Sequence, residues 1–152
     1  MVLKLINKNV KESRKKAMEL LPLFGLEGYA HYYPHVLSGG MKQRAALLRT
    51  FLHQNDLLLL DEPFGALDAL TRESMHEWLL DIWSKWQRSV LFITHSIDEA
   101  IFLSDRVYVL AARPTYVLTE YEVNLPRPRK KEMSFTDEYM SLKSKLVQSL
   151  NN

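Results

Sequence analysis

The stretch LSGGMKQRAALLRT, residues 37–50, is the most informative part of this 152-residue chain. Ser38 is a natural N-cap, and apolar residues at positions 41, 45, 48 and 52 predict a helix with one buried face. Because the first N–H groups of a helix are unpaired and its dipole favours negative charge, Gly39 and Gly40 can bring backbone close to a phosphate. Taken alone, SGG is also typical of a glycine-containing loop before an ordinary capped helix.

Four leucines at positions 57–60 lead directly into Asp61 and Glu62. A continuous apolar run of this kind predicts a parallel strand that is buried on both faces. Ligands of open α/β sheets bind beyond the carboxyl ends of the strands. There Asp61 can hold Mg²⁺, and Glu62 can orient or deprotonate a water molecule. Two solvated acids at the end of a core strand remain the alternative interpretation.

His95 ends a second apolar strand, residues 90–93, in the segment FITHS. If this strand is the parallel neighbour of the first, His95 lies at the same sheet edge as Glu62. A histidine there can bond a terminal phosphate or hold the water, although a lone histidine is more often a satisfied core residue. The other histidines are interpreted as loop or helix-surface residues with no metal-binding spacing: His31, His35, His53 and His76.

Helical and strand patterns alternate along the chain. The sequence predicts a helix at 11–27, a loop at 31–36, the helix after Ser38, the strand at 57–60, a helix at about 69–87 after the turn GALD (residues 65–68), the strand at 90–93, a short helix to about 103 opened by a capping box of Ser96 and Glu99, and a strand at 107–110. This order predicts an α/β fold with right-handed crossovers between parallel strands.

The tail has a different character. We expect a hairpin turn at 112–115, a paired edge strand at 116–123, a solvated basic linker at 125–132, and a terminal helix at 134–150. The apolar positions of that helix are Phe135, Tyr139, Leu142 and Leu146. The three tryptophans, Trp78, Trp83 and Trp86, are expected in the core or against a partner.

Composition narrows the class of protein. The chain is 47% hydrophobic, has a net charge of +2 and contains no cysteine. Disulfides and zinc–thiolate sites are excluded, and so small a charge does not favour nucleic acid as a partner. No stretch approaches the roughly 20 apolar residues of a membrane helix, so a role at a membrane requires docking on another subunit.

Taken together, the ordered motifs resemble the ATP-binding subunit of ABC transporters. LSGGMKQR is similar to the ABC signature motif, with Met41 where glutamine is more usual, and LLLLDEP to the Walker B strand. GALD is similar to the D-loop, and FITHSIDEA to the loop of the switch histidine. YYPHVLSGG and the tail segment NLPRPR resemble the branch of importers for nitrate, sulfonate, taurine or pyrimidine precursors.

The resemblance implies ATP and Mg²⁺ as cofactors and a role for each motif residue. Asp61 would support Mg²⁺, Glu62 would be the general base, and His95 would contact the γ-phosphate. Asp68 would cross a dimer interface. The signature residues would bind ATP held by the opposite subunit; they are Ser38, Gly39, Gly40 and Met41.

The resemblance also implies a partial P-loop NTPase fold. Residues 1–124 would form part of a cassette, with a helical signature subdomain at about 1–54 and the Walker B core at 55–124. Residues 125–152 would be the basic linker and C-terminal helix. The phosphate-cradling motif G-x-x-x-x-G-K-[ST] does not occur in these residues. We therefore expect little or no ATP binding or hydrolysis by this chain alone, and exposed apolar surface that favours aggregation or a partner.

Two functional hypotheses follow from the resemblance. The first is an importer ATPase, cytoplasmic and peripheral on the inner face of the cell membrane. Its partners would be a second ATP-binding subunit and permease subunits, with a periplasmic binding protein acting indirectly and no nucleic acid. The second is a non-catalytic remnant or binding module that completes the ATP site of a partner subunit. The ABC-type ATPases of DNA repair fit less well, because neither a coiled coil nor a zinc module interrupts this sequence.

Overall fold

A computed structural model describes residues 10–53 and 56–151. The domain boundary expected between residues 54 and 55 lies outside them. In chain order the elements are α1 (Val10–Leu20), α2 (Gly39–Leu52), β1 (Leu57–Asp61), α3 (Ala69–Trp86), β2 (Ser89–Ile93), α4 (Ile97–Leu103), β3 (Arg106–Leu110), β4 (Val117–Glu122) and α5 (Asp137–Leu150). Short 3-10 turns occupy Pro34–Val36 and Lys131–Phe135. None of the helices in these residues is long and apolar enough to cross a membrane.

Strands β1 and β2 pair in parallel, with Leu57 opposite Ser89 and Asp61 opposite Ile93. This confirms the predicted parallel pairing. The prediction of burial on both faces is wrong: Leu58 and Leu60 are buried, whereas the side chains that alternate with them are open. The exposed fractions are 51% for Leu57, 65% for Leu59, 50% for Leu91 and 50% for Ile93. Strand side chains alternate between faces, and the described residues cover only one face of this sheet.

The first hydrophobic cluster fills the space between the covered face of β1–β2 and helices α1, α2 and α3. Phe24 lies at its centre, fully buried, with its ring against those of Phe51 and Trp78. Positions 48 and 52 of the predicted stripe are buried in α2, and α3 ends within one residue of the predicted boundary. Helix α1 ends at Leu20 rather than at residue 27, because Pro22 lacks a backbone N–H and the chain turns through Gly25 at a φ of 63°.

The prediction that β3 extends the parallel sheet is wrong. This strand pairs antiparallel with β4, so the described strands form two separate two-stranded sheets. The predicted turn and returning edge strand are confirmed. A second hydrophobic cluster lies beneath this hairpin and against α4 and α5, and contains Ile101, Val109, Tyr139 and Leu146. Phe135, expected on the apolar face of the terminal helix, precedes α5 and is 82% exposed.

The basic segment at 125–132 is anchored rather than solvated. Arg129 is 5% exposed and donates to the backbone carbonyls of Ile101, Phe102, Ser104 and Val123. Burial, together with the neighbouring charge of Arg127, lowers the pKa of Arg129 to about 10, so this side chain stays charged at neutral pH. Arg127 bonds Asp105 and lies over the ring of Trp83, at 4.2 Å. The prediction of a solvated linker is therefore wrong for Arg127 and Arg129, whereas Lys130 and Lys131 are exposed.

Candidate active site

Glu62 and His95 meet at the carboxyl edge of the parallel sheet. The in-register pairing of β1 with β2 brings the residues after both strands together, and the Glu62 N–H donates to the Ile93 carbonyl over 2.9 Å. Glu62 Oε1 lies 2.5 Å from His95 Nε2. Both side chains line an open cleft of about 290 Å³. The sheet geometry thus brings together the two residues that the sequence placed at a common edge.

The backbone at Glu62 is held in an uncommon conformation. Its φ is 41°, in the left-handed region that non-glycine residues rarely adopt. The Gly65 N–H closes the turn by donating to the Glu62 carbonyl over 3.2 Å. A Cβ at Gly65 would lie 3.5 Å from Glu62 Oε2, so the carboxylate passes close to the glycine. Strain of this kind persists where the surroundings fix the chain, as they often do at functional sites.

A mostly buried carboxylate, Glu99, also lines this cleft. Glu99 accepts from the Thr94 hydroxyl over 2.6 Å, and its other oxygen lies 3.1 Å from His76 Nε2 and 3.9 Å from Arg72 Nε. Burial alone would raise the pKa of Glu99. The hydrogen bonds from His76 and Thr94, with the charges of His76 and Arg72, outweigh burial and hold the pKa below its usual value. Glu99 is therefore an ionised, fully partnered group at neutral pH.

Sequence reasoning missed this network. The surface interpretation of His76 is wrong, because its side chain is mostly buried and contacts Glu99 and the ring of Phe64. The signal was present: His76 adjoins Met75 and precedes Leu79 by three, on the buried stripe of α3. The predicted capping box forms only in part. Ser96 Oγ accepts from the Glu99 N–H, but the Glu99 carboxylate turns to Thr94 and His76 instead of to the Ser96 N–H.

Asp61 does not line the cleft. It is exposed on the same face of β1 as Leu57 and Leu59, whereas Glu62 has passed the end of the strand. The described residues contain no group of three or more His, Cys, Asp or Glu that could hold a metal ion. One carboxylate still fits Mg²⁺, which usually takes one or two protein carboxylates and completes its shell with phosphate and water.

The starts of α2 and α3 lie side by side. Ser38 Oγ caps α2 by accepting from the Met41 N–H over 3.2 Å, and Asp68 Oδ1 caps α3 by accepting from the Thr71 N–H over 3.0 Å. A Cβ at Gly40 would lie 3.1 Å from Thr71 Cγ2. The glycine therefore permits close packing of the two helices, whatever its role toward a phosphate.

Asp68, which caps α3, is ionised at neutral pH. Hydrogen bonds from the hydroxyl and the N–H of Thr71 hold the pKa of Asp68 below its usual value. Met41 is partly buried and packs against the first hydrophobic cluster. Ser38, Gly39 and Gly40 do not line the cleft that contains Glu62 and His95. The structure thus places Ser38, Gly39 and Gly40 apart from Glu62 and His95.

Comparison with known proteins assigns this arrangement to a family. A family model described as "ABC transporter" matches residues 3–65. The nitrate import ATP-binding protein NrtD of Synechocystis sp. is 49% identical over 124 residues, which make up 82% of this chain and 47% of NrtD. The formylaminopyrimidine import ATP-binding protein ThiZ of Halalkalibacterium halodurans is 42% identical over 148 residues, or 97% of this chain and 59% of ThiZ.

Solved structures share the fold. MJ1267, an ATP-binding cassette of an ABC transporter in its ADP conformation, matches with a TM-score of 0.69 and 20% identity over 98% of this chain and 53% of that chain. MJ0796, a bacterial ABC transporter cassette with a dimeric structure, matches with a TM-score of 0.56 and 30% identity over 76% of this chain and 49% of that chain. The fold is that of part of an ATP-binding cassette. The chain belongs to the ABC transporter family, and it spans about half the length of the curated relatives it matches.

Proposed function

We propose that this chain is the Walker B and signature portion of the ATP-hydrolysing subunit of an ABC importer. The contact between Glu62 and His95 at the carboxyl edge of β1 and β2 carries the proposal. A carboxylate and an imidazole in one open cleft can activate and hold a water molecule, which is the chemistry that phosphoanhydride hydrolysis requires. In this proposal residues 1–124 belong to the cassette, and 125–152 form its C-terminal anchor and helix.

Each site residue has a defined task in this proposal. Glu62 accepts the proton of the attacking water, and His95 holds that water and donates to the γ-phosphate. Asp61 supports Mg²⁺, which when bound neutralises the charge of the phosphates. The capped start of α2, from Ser38 to Met41, faces ATP of a second subunit, and Asp68 lies at the interface between the two subunits.

A polypeptide of these 152 residues is proposed to be inactive alone. Its sequence contains no G-x-x-x-x-G-K-[ST] motif, whose lysine and backbone amides bind the triphosphate in P-loop enzymes. Without that positive counterpart, Asp61 and Glu62 would repel the phosphates. The activity is therefore proposed to require polypeptide that supplies the motif.

The proposed partners follow from the relatives. NrtD and ThiZ are named as import proteins for nitrate and formylaminopyrimidine. We propose a small solute of that range for this chain: nitrate, a sulfonate, taurine or a pyrimidine precursor. The cassette would dock on permease subunits at the inner face of the cell membrane, and a periplasmic solute-binding protein would act through them.

A non-catalytic module is the second candidate. The absence of G-x-x-x-x-G-K-[ST] from these residues favours it, because the start of α2 could still complete the ATP site of an intact partner while Glu62 stays idle. The two candidates differ in whether Glu62 is needed for turnover.

The test joins this chain to the part of an ATP-binding subunit that carries a G-x-x-x-x-G-K-[ST] motif, and measures ATP hydrolysis. Glu62→Gln should lower kcat by at least about a hundredfold, the usual contribution of a general base. Glu27→Gln, which neutralises an exposed carboxylate in a turn, should not change kcat. Turnover that survives Glu62→Gln would remove Glu62 from the reaction and favour the non-catalytic module.

A further inference from the structure

The position of His95 does not come from burial of its own side chain. The imidazole is 86% exposed, and Glu62, its partner across the cleft, is itself 46% exposed. An exposed contact of this kind is weak and does not by itself fix a flexible loop. The restraint on His95 must therefore come from the backbone on its two sides.

Both neighbours of His95 are bonded to Glu99. On one side the Thr94 hydroxyl donates to Glu99 Oε2 over 2.6 Å, and on the other side Ser96 Oγ accepts from the Glu99 N–H over 3.3 Å. The Ser96 N–H then donates to Thr94 Oγ1 over 3.0 Å, which closes a ring of hydrogen bonds around the backbone of His95.

The far side of Glu99 is fixed to α3. An ionised carboxylate can only accept hydrogen bonds, so His76 carries its proton on Nε2 and donates to Glu99 Oε1. Arg72 Nε, buried and without a hydrogen-bond partner, lies 3.9 Å from the same oxygen. The other end of that guanidinium donates to the Leu67 carbonyl, in the turn before α3, over 2.8 Å.

We propose that Glu99 is a positioning residue, which sets His95 against Glu62 by holding Thr94 and Ser96 and which ties the His95 loop to the GALD turn through Arg72. The inference rests on the proposed function, because it assigns the network a role in the reaction of that site. A buried carboxylate with three partners on two elements suits this role: its partners lose their geometry together when one is removed.

The decisive variant is Thr94→Val, which keeps the shape of the side chain and removes the hydroxyl that joins Glu99 to Ser96. Hydrogen–deuterium exchange of the full chain should show residues 94–97 exchanging about tenfold faster, because the Ser96 N–H loses its acceptor. Thr94→Ser should restore the slow exchange. Thr119→Val, the same chemical change on β4, should leave residues 94–97 unaffected. If Thr94→Val fails to fold, Glu99→Gln replaces it under the same criterion.

Catalysis separates positioning from mere stability. In the joined cassette, Thr94→Val should lower kcat about tenfold with KM for ATP within about twofold, since a displaced His95 impairs the reacting geometry and not nucleotide binding. Unchanged exchange at 94–97, or an unchanged kcat in a variant whose exchange has risen, would overturn the inference. If the unsubstituted joined cassette hydrolyses no ATP, the proposed function fails, while exchange still decides whether Glu99 holds the loop.

Discussion

The outward faces of the two sheets differ in composition, although each sheet has two strands and packs its other face on a hydrophobic cluster. The open face of β1–β2 presents a row of apolar side chains interrupted by Asp61 and Ser89: Leu57, Leu59, Leu91 and Ile93. The open face of β3–β4 includes exposed Tyr108 and Leu110, but there Arg106 lies 3.0 Å from Glu120 and 3.6 Å from Glu122.

The open face of β3–β4 is therefore better suited to contact with water than the open face of β1–β2. Charged cross-strand pairs protect an open sheet from edge and face association, whereas contiguous exposed apolar side chains mark a surface that another segment covers. Asp61 belongs to the apolar face, so the carboxylate proposed to support Mg²⁺ lies where covering polypeptide would arrive. We expect a segment that covers this face to contact Asp61 as well.

The largest effect should separate the two faces of β1 itself. Leu60→Ala removes a buried side chain from the first hydrophobic cluster and should lower the free energy of unfolding by about 2–5 kcal/mol. Leu59→Ala, one residue earlier and on the open face, should lower it by less than about 1 kcal/mol. Urea denaturation followed by tryptophan fluorescence compares the two. Equal losses would mean that the open face is covered in solution.

The next effect concerns self-association. The double variant Leu59→Lys with Leu91→Lys should reduce aggregation of the isolated chain, because it places charge in the middle of the apolar face. Tyr108→Lys with Leu118→Lys makes the matched change on the β3–β4 sheet. Sedimentation velocity should show fewer large species for the first pair than for the second. A reversed order would locate the association surface on β3–β4 instead.

The smallest effect on stability is expected at the ion pairs of the β3–β4 sheet. Arg106→Ala removes contacts with Glu120 and Glu122, which are solvent-exposed, and such pairs contribute little to stability in salt. The thermal midpoint in physiological salt should be unchanged within error. A clear fall in the midpoint would show that these charges stabilise the hairpin itself and do not only keep its face soluble.

The sequence predicted those features that depend on short-range patterns. The cap at Ser38, the end of α3, the parallel pairing of the leucine strand and the turn before β4 are all local or follow from strand composition. The meeting of Glu62 with His95 followed from the pairing, since adjacent parallel strands end at the same edge.

Features that depend on distant partners were not predictable in the same way. The leucine run does not state whether both faces are covered, because cover is supplied by other segments. Arg129 carries a charge, which favours solvent. Its burial is explained by four backbone carbonyls that the fold brings together and that accept its hydrogen bonds. The local sequence places Glu99 in a capping box, but its carboxylate accepts hydrogen bonds from His76 and Thr94 instead.

We propose that Glu62 and His95 form the hydrolytic pair of a cassette and that other polypeptide is needed to bind the nucleotide. The most direct measurement is steady-state phosphate release from Mg-ATP by the purified 152-residue polypeptide, with its Glu62→Gln variant as the background. We expect equal, negligible rates for both. Sustained turnover by the unsubstituted chain that disappears in Glu62→Gln would contradict it.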